Sequence, residues 1–139
     1  MRGRSFVDTN VLVYLYDSDN PTKRARAGEL VTEYGPSGKL VLSTQVLQEF
    51  FVTVTRKLAR PLSLASAEQA VRHLSTYPVV AIDVQLVLGA IETMQAHRIS
   101  LWDALIVEAA RQSACEELLT EDLSDGASIA GVRVRNPFA

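Results

Sequence analysis

Asp8, Asp103 and Asp122 are the residues whose type and position could do chemistry. Asp8 follows Ser5-Phe6-Val7 and Asp122 follows Leu118-Leu119-Thr120, so each falls just past the carboxyl end of a candidate strand, where open parallel sheets place their sites. Either acid alone reads first as a cap or turn residue, because Asp is common in both. Asp103 differs. With Ser100 it has the spacing of a capping box, yet at ~100° per residue it shares a helix face with Ile106, Val107 and Ala110. A carboxylate aimed into an apolar face is costly unless it is paired or bound to a cation, and capping does not explain it. Glu49 lies opposite the stripe Val46, Leu47, Phe50, Phe51, Val54 and Leu58, together with Gln45, Thr53 and Arg56; periodicity alone makes it a solvated residue. Carboxylates without His or Cys at ligand spacing are hard oxygen donors, suited to Mg²⁺ or Mn²⁺ rather than zinc.

The elements that must position these acids alternate between short strands and longer helices. Residues 5–7 predict the first strand, with Asp8-Thr9-Asn10 opening a helix that continues over 11–16. Asn20-Pro21-Thr22 starts a second helix, closed by Gly35-Pro36-Ser37-Gly38. Strand two is 40–42, and Ser43-Thr44 caps a helix to about 58, broken by Pro61. A helix over 65–75, strand three over 79–82, and helices over 83–97 and 101–113 follow, then strand four over 118–120 and strand five over 132–134. This alternation predicts an α/β fold with a mainly parallel, helix-covered sheet.

Composition narrows the classes. A chain of 139 residues with 47% hydrophobic content suits one domain, 1–139, with one core. Met1 to Asp8 offers no apolar leader, and no apolar run approaches the ~20 residues of a membrane span. A single cysteine, Cys115, cannot form an intrachain disulfide and fits a reducing cytoplasm. The formal net charge of −2 exerts no global pull on nucleic acid, so RNA binding would need a local basic patch.

Taken in order, the strand followed by Asp8-Thr9-Asn10, Leu47-Gln48-Glu49-Phe50, Ile99-Ser100-Leu101-Trp102-Asp103-Ala104-Leu105-Ile106 and Leu119-Thr120-Glu121-Asp122-Leu123 resemble the PIN-domain ribonucleases of the VapC toxin type. The segments are short singly and specific jointly, and they cover nearly the whole chain. The resemblance implies a five-stranded parallel sheet between helices, with Asp8, Glu49, Asp103 and Asp122 converging on Mg²⁺ or Mn²⁺; it reverses the reading of Glu49 from periodicity. It further implies hydrolysis of RNA to a 5′-phosphate and a 3′-hydroxyl, an antitoxin partner and a homodimer. Asn10 matches the D-x-N segment, to orient Asp8 or a metal-bound water or to cap a helix; Thr9 and Thr120 support the same site or end strands. Asp125 matches an extra acid of some relatives, or a turn ahead of Gly126.

Among the cations, Lys23, Arg24 and Arg26, and Arg56, Lys57 and Arg60, could flank the acids and hold phosphates. Arg56 is favoured as an RNA contact because it shares the side of Glu49. His97 reads as a helix-end cap or a general acid, Trp102 as core beside Leu101 and Leu105 in preference to a platform that stacks a base, and Cys115 as a small buried hydrophobe. A phosphotransfer or receiver domain would need a late strand-end lysine, and the lysines are at 23, 39 and 57 only. A catalytically idle module would have lost acids, and all four are present. A PIN nuclease of RNA processing that is not a toxin stays open.

Overall fold

The computed structural model describes residues 3–139. Met1 and Arg2, the start of the segment read as lacking an apolar leader, lie outside the described residues. The chain runs β1 (Ser5–Val7), α1 (Thr9–Val13), a 3₁₀ turn (Tyr14–Tyr16), α2 (Pro21–Tyr34), β2 (Leu40–Ser43), α3 (Thr44–Arg56), α4 (Leu64–Leu74), β3 (Val79–Val80), α5 (Val84–His97), α6 (Leu101–Gln112), β4 (Glu117–Leu119), β5 (Ser128–Ile129) and β6 (Val132–Arg135). Strand order is β3-β2-β1-β4-β6-β5.

The five expected strands are β1 to β4 and β6, and every pairing among them is parallel. β1, β2 and β4 are buried along their whole length, as parallel strands covered by helices on both faces must be. β5 is an addition to the expected sheet. It pairs antiparallel with β6 through Ala130-Gly131, both at positive φ (52° and 82°), which is the geometry of a two-residue hairpin turn matched to strand twist. Ala at the first turn position is a weak sequence signal for that turn.

Helix starts follow side-chain caps. Asp8, Ser43, Ser63, Asp83 and Ser100 each accept a hydrogen bond from a backbone N–H of the helix they open, and Pro21 occupies the first turn of α2, where its missing N–H costs nothing. α6 packs on β2, β4 and β6 and against α5, while α3 packs between α1 and α4. The core runs through the sheet from Phe6, Leu40, Leu42 and Leu118 to Phe50 and Leu86. Cys115 is buried, as expected, and burial pushes its thiol pKa up. Among the described residues no helix is long and apolar enough to cross a membrane.

Two side chains depart from their periodic placement. Trp102, expected in the core, is 64% exposed. Leu105 and Ala109, on the same stripe of α6, are buried, so neighbouring elements cover that stripe from its second turn onward and leave the first turn bare. Glu108, grouped with Arg111 and Gln112 on a polar side, is instead 2% exposed. It is stabilised there by hydrogen bonds from Arg111, Gln112 (3.0 Å) and Thr93 (3.4 Å). Arg111 holds its carboxyl below the usual range despite burial.

Candidate active site

β1 and β4 are parallel neighbours with Val7 opposite Leu119, so the residues that follow them emerge side by side. The Asp8 N–H donates to the Leu119 carbonyl (3.0 Å), which fixes the two strand ends together. Asp8 caps α1, its Oδ1 accepting from the Thr9 N–H at 2.7 Å. Its Oδ2 accepts from the Thr120 hydroxyl (2.8 Å) and, more loosely, from Asn10 Nδ2 (3.4 Å). The helix cap is therefore Asp8, and Asn10 is the bridge: Nδ2 donates to Thr120 Oγ1 (3.2 Å) and Oδ1 accepts from the Glu121 N–H (3.2 Å). Thr120 is the hub of this network, because its oxygen also accepts from the Asp122 N–H at 3.0 Å.

The side of α3 that carries Glu49 faces α1 rather than open water. Glu49 Oε1 accepts from the Thr9 hydroxyl (2.8 Å). Gln45, expected to be solvated, is 6% exposed; its Nε2 donates to the Trp102 carbonyl (3.2 Å) and weakly to Glu49 Oε2 (3.4 Å), tying α3 to the start of α6. Gln45 Oε1 is a buried side-chain atom with no hydrogen-bond partner. Asp103 is half-buried in the first turn of α6, with its N–H donating to Ser100 Oγ at 3.0 Å.

Electrostatics join the four acids. Burial raises the Asp8 pKa to about 6, opposed by the hydrogen bonds from Thr120 and Thr9 and reinforced by the charges of Asp122 and Glu49. Asp103 is raised first by burial and again by Asp122 and Glu49. Asp122 itself is exposed. Among the described residues, no three acids, histidines or cysteines form a group closed tightly enough to be a ready-made ion cage. The donor set nevertheless fits Mg²⁺ or Mn²⁺. These ions take oxygen ligands, and Mg²⁺ keeps several waters while using one or two carboxylates directly, so acids that sense one another's charge across a gap suit it better than a collapsed cluster would. A divalent charge would also offset the repulsion from Asp122 and Glu49 that adds to burial in lifting Asp8.

Two of the four acids, Glu49 and Asp122, line a groove of about 600 Å³ together with Thr9 and Asn10 among others. Lys57 is the cation among its lining residues; Arg56 is exposed and does not line it. Asp125 lies apart, accepting from the Asn136 N–H (2.9 Å) and so tying its turn to the end of β6. His97 is exposed in the last turn of α5. Lys23 is bound to Glu121, which also accepts from Tyr14 (2.7 Å), and its ammonium lies over the rings of Tyr14 and Phe138. Sequence reasoning missed Gln45 and the Lys23–Glu121–Tyr14 clamp, and it named Lys57 as a possible phosphate contact but favoured its neighbour Arg56. Only Gln45, one helical turn before Glu49, carried a signal that could have found it.

The PIN-domain family profile matches residues 5–124. No curated protein matches the sequence significantly. Among solved structures, the chain is similar to a toxin–antitoxin complex from Klebsiella pneumoniae at 22% identity and TM-score 0.72, covering 96% of this chain and 97% of that one. It is similar to the sarcin–ricin loop cleaving toxin VapC20 of Mycobacterium tuberculosis at 21% identity and TM-score 0.70, covering 93% and 98%. A third likeness is to the DNA-bound VapBC of Salmonella typhimurium, at 17% identity and TM-score 0.69, covering 97% and 98%. At these identities the likenesses establish the fold.

Proposed function

The chain belongs to the PIN-domain family, and from that premise we propose that it is a Mg²⁺- or Mn²⁺-dependent endoribonuclease, the toxin of a toxin–antitoxin pair. The observation that carries this reading is the meeting of four carboxylate fields, from Asp8, Glu49, Asp103 and Asp122, at the carboxyl ends of β1 and β4. A divalent ion held by these acids would supply Lewis-acid charge on the phosphate and lower the pKa of a water.

The protein's own part is positioning. Thr9 serves two acids at once, its N–H on Asp8 and its hydroxyl on Glu49, and so sets their separation. Thr120 holds Asp8 and the backbone of Asp122 in one geometry, and Gln45 couples Glu49 to the helix that bears Asp103. Preorganised acids of this kind cost no rearrangement when charge builds on the phosphate. No side-chain nucleophile is required, and cleavage leaves a 5′-phosphate and a 3′-hydroxyl. The reading includes an antitoxin partner, supported by fold neighbours solved as toxin–antitoxin complexes, and carries with it a homodimer and a cytoplasmic site of action.

The test is to incubate purified protein with total cellular RNA in Mg²⁺, in Mn²⁺ and in EDTA, and to map the new ends. Discrete cuts bearing 5′-phosphates, present with metal and absent in EDTA, are expected. Intact RNA in both metals, or equal cleavage in EDTA, would overturn the reading. Toxicity is separate: expression of this chain should slow growth, and co-expression of the adjacent gene should relieve it. Unaffected growth with active enzyme would remove the toxin role and leave the nuclease.

A further inference from the structure

We infer that the groove between α1 and α3 seats the unpaired nucleotides next to the scissile phosphate, with Lys57 holding a backbone phosphate beyond it. This rests on the ribonuclease reading above and adds a residue that positions substrate. The groove is continuous with the acids, since Glu49 and Asp122 line it together with Val13, Tyr14, Val52 and Lys57. Its volume of about 600 Å³ is that of a small-molecule site and too small for a duplex.

Charge selects the occupant. Asp17, Glu49 and Asp122 line the groove, so an RNA strand entering it meets net repulsion unless a cation answers its phosphates. Lys57 is the cation among the lining residues, and its ammonium has no carboxylate partner among the described residues. Of the nearby cations, Lys23 is paired with Glu121 and Arg60 with Asp19, and Arg56 is exposed outside the groove lining. Lys57 follows the last residue of α3, eight positions after Glu49, which at 1.5 Å per residue sets it about 12 Å along the helix axis, a dinucleotide-sized reach of extended strand. Between these ends Val13, Tyr14 and Val52 offer apolar wall to ribose and base without base-edge readout, so the contact is tolerant of sequence. Val52 is 43% exposed, a large apolar side chain left open beside the acids. The neighbouring cleft between α3 and α4, lined by Leu47, Phe51, Glu68 and Val71 among others, has no cation among its lining residues to answer a phosphate.

The experiment compares wild type, Lys57→Gln and Lys57→Arg. A short fluorescein-labelled oligouridylate is titrated by anisotropy in Ca²⁺ over a range of salt, and the same oligomer is then used for kinetics in Mg²⁺ and Mn²⁺. Lys57→Gln is expected to weaken binding roughly fivefold at low salt and to lower the slope of log Kd against log salt by about 0.7, the loss of one single-strand phosphate contact. It should raise KM with kcat held within about twofold, as for lost uniform binding, and Lys57→Arg should restore both. An unchanged Kd and salt slope in Lys57→Gln overturns the inference while leaving the nuclease standing. Unchanged RNA binding with weakened capture of the co-expressed antitoxin makes the groove a protein site, which also overturns it. A Lys57-dependent slope in a wild type that cleaves nothing keeps the groove and removes the nuclease; a wild type that neither binds nor cleaves removes both.

Discussion

A carboxylate whose pKa lies at about 6 inside the fold, against about 4 when unfolded, makes stability depend on pH with a definite sign. The folded state binds the Asp8 proton more tightly, so the group's contribution is fully present below pH ~4 and is lost as pH rises through about 6. That separation is worth on the order of 3 kcal/mol. Without metal, Asp8→Asn should therefore melt above wild type at pH 8, and the gain should vanish near pH 4; Asn also keeps the cap, since it is as good an N-cap as Asp. Thermal melts of both proteins across pH in EDTA check this, and a gain that is equal at both ends would mean that ionisation of Asp8 is not the cause. In Mg²⁺ the same substitution, like Asp103→Asn, should lower the cleavage rate at least ~10²-fold with a native circular dichroism spectrum. Near wild-type rates in both variants would remove these acids from catalysis. At this scale the sequence made the acids legible by their order along the chain. It did not show Thr120 as their hub, because a threonine ending a strand looks the same whether its hydroxyl serves one neighbour or three.

Among the elements, the α5–α6 hairpin gives the clearest case of tertiary contact overriding propensity. Gly89 in α5 faces Glu108 in α6, and a Cβ added there would lie 2.6 Å from Glu108 Oε1. Arg111 and Gln112 hold that carboxylate, so it cannot swing away freely. Helix propensity alone predicts that Gly→Ala stabilises by about 1 kcal/mol, whereas overpacking against a fixed buried group costs about 1–3 kcal/mol. Gly89→Ala should therefore lower the melting temperature. Gly28→Ala in α2, where nothing lies within 4 Å of the added Cβ, should raise it. Equal stabilisation of both by denaturant titration would show that Glu108 relaxes without cost. Most elements were readable from caps, prolines and apolar runs, because these act locally. Glu108 was not, since the periodicity of α6 cannot report that α5 presents a glycine to it. Glu49 failed for the same reason, its polar side being covered by α1, and β5 depends on a turn that Ala130 and Gly131 mark weakly.

For the whole molecule, the consequence of the acid site is a fold whose stability should depend on a divalent ion. Asp8 and Asp103, both raised by burial and further by the charges of Asp122 and Glu49, leave the metal-free protein strained at neutral pH, as functional sites often are. An ion that binds only the folded state adds RT ln(1 + [L]/Kd), about 2.7 kcal/mol at a hundredfold excess over Kd. Asp103→Asn deletes one of the repelling charges from a half-buried position while leaving the backbone N–H that Ser100 caps. In EDTA this variant should melt at or above the wild-type temperature, because burial and the charges of Asp122 and Glu49 both disfavour the ionised group it removes. On titration with Mg²⁺ or Mn²⁺ it should gain less than wild type, because a ligand has gone. The two expectations have opposite signs in one series of melts, which separates a metal ligand from a helix cap: loss of a cap would lower stability by ~1 kcal/mol with or without metal. A variant clearly less stable in EDTA, alongside a wild type that metal does not shift, would make Asp103 a capping residue and dissolve the proposed site.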